Sequence, residues 1–222
     1  MRVIIMIGLP GSGKSTWIKN NTWGDVSICS ADHWHEGPTG YNFSIEERPN
    51  AHHACLRKFV KLVTAPRECY STITPLVKEA TVVVDNTNAM IYDLAPYINV
   101  ARAFGHIPEL VYLECPVQLS YIRNTHGAPL AIIEHMDYGL KKMLEFWPSI
   151  WADLVPTKVP FDSYSSYRQI VRSRKRRQAE MFLSTQQEKE YTSLLELCWD
   201  LLTDEQKALI EHEDDAVHPG GV

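Results

Sequence analysis

The sequence predicts an α/β fold of the P-loop NTPase type, with a parallel sheet, helices on both of its faces and a helical C-terminal extension. Short apolar runs typical of buried strands alternate with stretches of helical periodicity, which is the pattern of a parallel sheet. The first run leads directly into Gly8 to Thr16 (GLPGSGKST), which fits the phosphate-binding pattern G-x-x-x-x-G-K-[ST]. We therefore expect a P-loop domain over residues 1–147 and the extension, with a basic segment and an acidic tail, over residues 148–222.

The first half of the chain contains three of the predicted strands. Continuous apolar or β-branched runs predict these strands over Arg2 to Ile7, Val26 to Ser30 and Thr81 to Val84. Apolar residues at helical spacing predict helices from about Gly13 to Asn21 and from Glu46 to Val63. Gly37 to Ser44 is rich in turn-forming residues, and the prolines within Thr64 to Pro75 leave that segment without an assignment.

The second half of the chain is predicted to be mainly helical. Pro108 to Glu114 predicts one further strand, and the proline-rich segment Pro148 to Pro160 is interpreted as a linker or a lid. Gly105 follows the predicted helix Ile91 to Phe104 at a position typical of a C-terminal cap. Pro129 suits the first turn of the predicted helix that it begins. The tail from His218 is expected to be disordered. The predicted helices are Ile91 to Phe104, Val117 to Asn124, Pro129 to Phe146, Tyr164 to Leu183, Gln186 to Leu202 and Asp204 to Glu213.

The composition is that of an ordinary globular protein, with 45% hydrophobic and 22% charged residues. No apolar run approaches the roughly 18 residues that a membrane span needs, so we expect no signal peptide, no membrane partner and a cytoplasmic location. The net charge of −5 argues against a uniformly basic surface, although a local basic groove stays open. Five cysteines without metal-ligand spacing are expected to be reduced and buried, namely Cys29, Cys55, Cys69, Cys115 and Cys198.

The glycine-rich segment predicts a nucleotide phosphate site. Its glycines permit a tight turn and leave no side chain between the backbone amides and a phosphate. The ammonium of Lys14 could reach the β- and γ-phosphates, and the hydroxyl of Ser15 could ligate Mg²⁺. The predicted phosphate-binding residues are Gly11, Ser12, Gly13, Lys14, Ser15 and Thr16.

Polar residues follow the predicted strands at their carboxyl ends, the edge at which open parallel sheets bind ligands. Asp32 is either the carboxylate that takes a proton from an acceptor hydroxyl or a helix N-cap. Asp85 opens the run Asp85-Asn86-Thr87-Asn88 and is either a catalytic group or a strand-end turn residue. Arg123 precedes a connection broken by glycine and proline, and is either a cation of a mobile lid or a surface arginine.

Four motifs occur together and in order: GLPGSGKSTW, the aspartate in SADHW, VVVDNTN at residues 82–88 and IRNTHGAPL at residues 122–130. Over about residues 3–145 the chain resembles the kinase domain of the phage-type polynucleotide kinase family. It resembles even more closely the related P-loop kinases with a DNTN motif and an RN-x-HG lid. The resemblance implies a nucleotide-kinase-like fold, ATP and Mg²⁺ as cofactors, and phosphoryl transfer to an alcohol.

The resemblance also implies residue roles. Lys14 and Ser15 would hold ATP and Mg²⁺, Asp32 would be the general base, and Arg123 would be a lid cation near the transferred group. Asp85 would orient Arg123 or a metal-bound water, and would bind substrate together with His35 and Asn88. Two positions depart from the phage pattern, because His35 and the segment His126-Gly127 stand where that family has arginines. An imidazole is a weaker phosphate clamp than a guanidinium, so these departures leave the acceptor open.

Three functions follow from these residues. The first is an ATP-dependent kinase acting on nucleic acid, foremost on the 5′-hydroxyl of DNA or RNA. The second phosphorylates a hydroxymethyl group on a modified pyrimidine in phage DNA, and the third is an ATP-binding module without transfer activity. The basic segment Arg168 to Arg177 either tracks a phosphodiester backbone or forms a solvated helix face balanced by the acidic segment Asp204 to Asp215. The sequence predicts no oligomeric state.

Overall fold

The computed structural model describes residues 1–37, 40–65, 80–179 and 184–217 of the chain. These residues form two compact units, Met1–Pro160 and Phe161–Val222. Three parts of the sequence analysis lie outside the described residues: Cys69, the tail from His218, and the segment Thr64 to Pro75 beyond residue 65.

The first unit contains seven strands within its described residues, and five α-helices lie between and beside them. The strands are β1 (Arg2–Ile7), β2 (Val26–Cys29), β3 (Glu36–Gly37), β4 (Gly40–Tyr41), β5 (Thr81–Val84), β6 (Glu109–Leu113) and β7 (Thr157–Val159). The helices are α1 (Lys14–Asn21), α2 (Arg48–Thr64), α3 (Ile91–Ala103), α4 (Val117–Arg123) and α5 (Leu130–Glu145).

Five strands form one parallel sheet in the order β2-β5-β1-β6-β7. The predicted fold class is therefore confirmed, with β1 in the middle of the sheet. Strand β7 corrects the interpretation of residues 148–160 as a linker or lid, because Val111 of β6 pairs with Thr157. Its three residues lie at the sheet edge between Pro156 and Pro160, and so short an edge strand carries no apolar pattern that a sequence could reveal.

Alternate residues of β1 face the two sides of the sheet, as strand geometry requires. Val3, Ile5 and Ile7 pack into the core cluster that includes buried residues of α2, α3 and α5. Ile4 and Met6 pack on the opposite side with Ile18 of α1. The helices therefore cover both faces of the sheet, and both faces of β1 are buried.

Strand register aligns the carboxyl ends of the central strands. Val84 of β5 pairs with Ile5 of β1 on one side and with Cys29 of β2 on the other. The segments that leave these strands therefore start from one edge of the sheet. All of the predicted catalytic and phosphate-binding residues except Arg123 lie on those segments.

Strands β3 and β4 form a small antiparallel hairpin in the segment predicted to be turn-rich, with Glu36 opposite Tyr41. A 3₁₀ helix over Asp32–Trp34 connects β2 to this hairpin. The hairpin leads into α2, whose second residue is Pro49, a position that proline favours near a helix start. This connection places a short irregular segment directly after the carboxyl end of β2.

The second unit is helical in its described residues: α6 (Ser163–Ala179), α7 (Thr185–Asp200) and α8 (Asp204–Val217). Ser184 caps α7, since its hydroxyl accepts a hydrogen bond from the backbone N–H of Gln187 at 3.3 Å. Arg174 of the basic segment donates to the Glu188 carboxylate of α7 at 3.0 Å through Nε. The charge of this arginine is therefore balanced at least in part by Glu188 of a neighbouring helix.

The four described cysteines, Cys29, Cys55, Cys115 and Cys198, are buried free thiols, as expected. Within the described ranges, none of the helices has the length and apolar character that crossing a membrane would require.

Candidate active site

The phosphate-binding loop lies between the end of β1 and the start of α1. Gly11 has φ +72°, and a Cβ on this residue would lie 2.6 Å from the carbonyl oxygen of Ser120 and 3.0 Å from Cβ of Arg123. The hydroxyl of Ser120 also donates to the carbonyl oxygen of Pro10. The loop is therefore packed against the last turn of α4, and only glycine fits at residue 11.

Lys14 folds back over this loop. Its ammonium donates to the carbonyl oxygens of Leu9 at 2.8 Å and Gly8 at 3.1 Å. Enclosure by the protein lowers the pKa of Lys14 because it removes water from the charged group, while the nearby carboxylates of Asp85 and Asp32 act in the opposite direction. The lysine is thus held against the loop, where the charges of two predicted site carboxylates act on it.

The Ser12 hydroxyl is buried inside the loop, and no hydrogen-bond partner lies within reach among the described residues. Gly13, which precedes the first residue of α1, has φ +97°. A buried hydroxyl without a partner is costly unless a ligand satisfies it. This arrangement fits an anion held by the loop and by the start of α1.

Ser15, in the first turn of α1, contacts Asp85, which directly follows β5. The Ser15 hydroxyl donates to Oδ2 of Asp85 at 2.9 Å. Hydroxyl and carboxylate oxygens are the ligands that Mg²⁺ prefers. The pair therefore forms an oxygen donor set beside the phosphate-binding loop.

The three residues after Asp85 hold the sheet edge together. Asn86 accepts a hydrogen bond from the backbone N–H of Ala31 at 2.9 Å, and the Thr87 carbonyl oxygen accepts one from the N–H of Gly8 at 3.0 Å. Asn88 is 2% exposed, has φ +46° and donates to the carbonyl oxygen of Met6 at 2.7 Å. Its amide is therefore engaged with the backbone of β1, and its role in substrate binding stays a prediction.

Asp32 begins the 3₁₀ helix that follows β2. Ala31 occupies the cap position of that helix, so Asp32 is not its N-cap. Its carboxylate is about half exposed and lies 3.7 Å from Nε2 of His126. Because Asn86 holds the backbone of Ala31, the position of Asp32 depends on the end of the adjacent strand β5.

The segment between α4 and α5 carries the predicted lid residues. Its turn is held by Asn124, which accepts from the N–H of His126 at 3.1 Å and donates to the carbonyl oxygen of Ala128 at 3.2 Å. Arg123 ends α4 beside Gly11, and its side chain is partly exposed. This segment therefore connects the phosphate-binding loop to Asp32 through His126.

His35 lies at the end of the 3₁₀ helix. It is 7% exposed, and its ring packs against Phe43 with 5.1 Å between ring centroids. His35 also lines a pocket beside the β3–β4 hairpin. The three predicted substrate-binding residues therefore lie apart from one another. His35 lines this pocket, Asp85 lies beside Ser15, and Asn88 lies in the core.

Three residues that hold or face parts of the candidate site were not predicted from the sequence as site residues. Asn86 holds Ala31, Ser120 holds the phosphate-binding loop, and His126 faces Asp32. Asn86 and His126 lie within the motifs that carried the resemblance, so those motifs were the available signal. Nothing in the sequence around Ser120 indicates a contact with Pro10, since the two residues are far apart in the chain.

A comparison with known families identifies the domain that carries this site. Residues 3–126, more than half of the chain, match a family described as an AAA domain. The chain belongs to this AAA-domain family. The match contains every predicted site residue, from Gly11 through Arg123, and ends at His126.

Solved structures resemble this chain over different lengths. A chain of the Pnkp1/Rnl/Hen1 RNA repair complex has 18% identity and a TM-score of 0.50, covering 66% of this chain and 46% of that chain. A gluconokinase from Sinorhizobium meliloti 1021 has 13% identity and a TM-score of 0.42, covering 90% of this chain and 95% of that one. A deoxyadenosine kinase from M. mycoides with bound dATP has 13% identity and a TM-score of 0.35, covering 73% and 91%.

This AAA-domain protein therefore spans less than half the length of the RNA repair chain that it resembles. Together with the family match, that similarity supports an α/β fold of the P-loop NTPase type. Membership of the DNTN subgroup stays a prediction.

Proposed function

We propose that this protein is an ATP-dependent kinase that transfers the γ-phosphate to a hydroxyl group on nucleic acid, foremost a polynucleotide 5′-hydroxyl. The observation that carries the proposal is the Ser15–Asp85 hydrogen bond beside Lys14, with Asp32 at the next strand end. A phosphate-binding loop alone serves switches and motors as well as kinases. A separate carboxylate near the loop is what transfer to an alcohol additionally needs.

The described residues fit ATP and Mg²⁺. The buried Ser12 hydroxyl lacks a partner that a phosphate oxygen would supply, and Ser15 with Asp85 offers the oxygen atoms that would hold the metal ion. Lys14 would exchange its carbonyl partners for phosphate oxygens. When bound, Mg·ATP supplies the phosphoryl group and neutralises part of its charge.

The roles of the remaining residues follow from position. Asp32 would accept the proton of the acceptor hydroxyl, and His126 faces that carboxylate from the lid. Arg123 would bring a positive charge toward the phosphates, because its backbone lies against Gly11 of the loop. Asp85 would orient the metal ion or its water. All of these residues precede residue 147, which is the proposed end of the catalytic domain.

A second acceptor is the hydroxymethyl group of a modified pyrimidine in DNA. The observation that favours it is the lid itself, which presents His126 to Asp32 where the phage-type pattern has a second arginine. A weaker phosphate clamp suits an acceptor that is recognised through its base.

The test compares Asp32→Asn with wild type, using γ-labelled ATP and a panel of acceptors: 5′-hydroxyl oligonucleotides, hydroxymethylated duplex DNA and free nucleosides. We expect the transfer rate to fall by about 10²–10⁴-fold while ATP affinity is retained, since only the proton acceptor is lost. Asp25→Asn, an exposed aspartate before β2, is the matched control. Full transfer by Asp32→Asn would contradict the mechanism, and wild type that binds ATP but labels no acceptor would favour an ATP-binding module.

The helix α6 is proposed to contact the backbone of long nucleic acid acceptors. Arg172 and Lys175 are exposed on α6, whereas Arg174 is engaged with Glu188. Replacing Arg172 and Lys175 with glutamine should weaken transfer to long acceptors and spare short ones, with a shallower salt dependence. An unchanged salt dependence would remove α6 from the acceptor-binding surface.

A further inference from the structure

A pocket of about 330 Å³ lies immediately beside the 3₁₀ helix that carries Asp32. It is formed between that helix, the β3–β4 hairpin and the residue before α2. Its volume suits a single ring system. Among its lining residues are Trp34, His35, Glu36, Asn42, Ser44 and Glu47.

The charge of this pocket is unusual for a nucleic-acid site. Residues 32–47 contain no lysine or arginine, and among the described residues that line the pocket the two with a formal charge, Glu36 and Glu47, are acidic. The imidazole of His35 is buried against Phe43. A phosphate in the pocket would meet two carboxylates, and the described part of the lining offers it no guanidinium or ammonium.

Trp34 gives the pocket an aromatic surface. Trp34 is 45% exposed as a residue, and its indole Nε1 donates to Oε2 of Glu47 at 3.1 Å. The same carboxylate oxygen accepts from the side chain of Asn50 at 3.1 Å, so the ring is anchored to the start of α2. An anchored, exposed indole binds planar bases by stacking, and the carboxylates and the Asn42 amide offer groups for the edge of a base.

We propose that this pocket receives the uncharged nucleobase of the acceptor, stacked on Trp34, and not a phosphate of its backbone. The inference rests on the proposed function and specifies how the acceptor is recognised. It applies equally to the terminal base at a 5′ end and to a modified base extruded from a duplex. In both cases the base, beside Asp32, would place the hydroxyl to be phosphorylated.

The first experiment measures binding without ATP, so that it is independent of transfer. Thymidine and thymidine 3′-monophosphate are titrated into the full chain and followed by saturation-transfer NMR. We expect thymidine to bind, and we expect the 3′-phosphate to add no affinity. Trp34→Ala should weaken thymidine binding by about tenfold, and Trp34→Phe should retain most of the wild-type affinity. Trp23→Ala, an exposed tryptophan before β2, is the matched control.

The second experiment measures transfer to 5′-hydroxyl oligonucleotides with a terminal thymidine or a terminal abasic residue. For wild type, kcat/KM should be about tenfold lower on the abasic acceptor than on the thymidine acceptor. For Trp34→Ala, kcat/KM should differ little between the two acceptors, because the indole that would stack on the base is already absent. For a base extruded from a duplex the accepting hydroxyl is on the base, so the abasic comparison does not apply. In that case kcat/KM on hydroxymethylated DNA is compared between wild type and Trp34→Ala, and a loss of about tenfold is expected.

Two results would overturn the proposal: a 3′-phosphate that strengthens binding tenfold or more, or binding and transfer unaffected by Trp34→Ala. Thymidine binding that depends on Trp34, without transfer to any acceptor, would instead overturn the proposed function and leave the pocket assignment standing. The Glu36→Gln, Glu47→Gln variant adds a charge test, since it should improve binding of the 3′-monophosphate relative to thymidine. An unchanged ratio would contradict the charge argument.

Discussion

Ser15 donates a hydrogen bond of 2.9 Å to Asp85, although seventy residues separate them in the chain. Ser15 lies in the first turn of α1, which follows β1 through the phosphate-binding loop, and Asp85 directly follows β5, the neighbouring strand. The register that pairs Ile5 with Val84 brings the two ends together. Strand pairing, and not local sequence, therefore builds the proposed metal-binding pair.

Asp85→Asn should weaken the binding of Mg·ATP more than the binding of ATP without metal. The amide keeps the size of the side chain but removes its negative charge, and such partners of a metal site are typically worth about 10–100-fold in affinity or activity. Fluorescent ATP-analogue titrations with Mg²⁺ and with EDTA measure both affinities. Asp25→Asn is the control, and equal losses with and without Mg²⁺ would show that Asp85 does not act through the metal ion.

Gly11→Ala should destabilise the protein and impair ATP binding. Gly11 has φ +72°, and a Cβ there would lie 2.6 Å from the Ser120 carbonyl oxygen. Gly105→Ala is a matched control, because Gly105 has φ +76° but nothing within 4 Å of the added Cβ. The control should lose about 1 kcal/mol for the left-handed backbone, and Gly11→Ala about 1–3 kcal/mol more for the steric conflict.

Urea unfolding of the two glycine variants gives this difference directly. Equal losses at both positions would mean that α4 moves away from the loop to accommodate the new methyl group.

Asn86→Ala should lower the free energy of unfolding by roughly 2–3 kcal/mol. The buried amide accepts from the N–H of Ala31 and donates to Tyr97 Oη and Cys55 Sγ, so its removal leaves the Ala31 N–H without this acceptor. We also expect slower transfer at saturating ATP, since Asp32 follows Ala31. Asn99→Ala, an exposed position on α3, is the control. A stable variant with an unchanged transfer rate would mean that Asn86 does not position Asp32.

The protein should lose stability above about pH 9, in part through Cys29. Burial, with a smaller contribution from Cys55, raises the pKa of the Cys29 thiol from 9.0 to about 12. Between these values the unfolded chain releases the thiol proton and the folded chain retains it, so the folded state loses stability as pH rises.

The Cys29→Ala variant isolates this contribution. Its free energy of unfolding should decline less steeply than that of wild type between pH 9 and pH 11, by up to about 1.4 kcal/mol per pH unit. Between pH 7 and pH 8 the two proteins should keep a constant difference, because the thiol is protonated in both states. Parallel curves above pH 9 would contradict the raised pKa.

Local patterns were sufficient where a single segment carried the signal. The continuous apolar run of β1 and the glycine spacing after it predicted a buried strand and a loop, and both lie where expected. Strand β7 was missed because three residues at a sheet edge have no periodicity. The motif that contains Asn88 shows polarity but not the direction of its side chain, so the sequence did not reveal its hydrogen bond to Met6.

By itself, the sequence determined the P-loop class of the fold, the phosphate-binding loop and the order of the polar segments along the chain. These features are local, since they depend on apolar periodicity and on the backbone freedom of glycine at adjacent positions. Only the tertiary structure decided that Ser15 meets Asp85, that His126 faces Asp32, and that Trp34 borders an acidic pocket. The first two contacts join residues far apart in sequence, and they follow from strand register and helix packing that no single segment specifies. The pocket lies within residues 34–47, where the β3–β4 hairpin and the start of α2 come together.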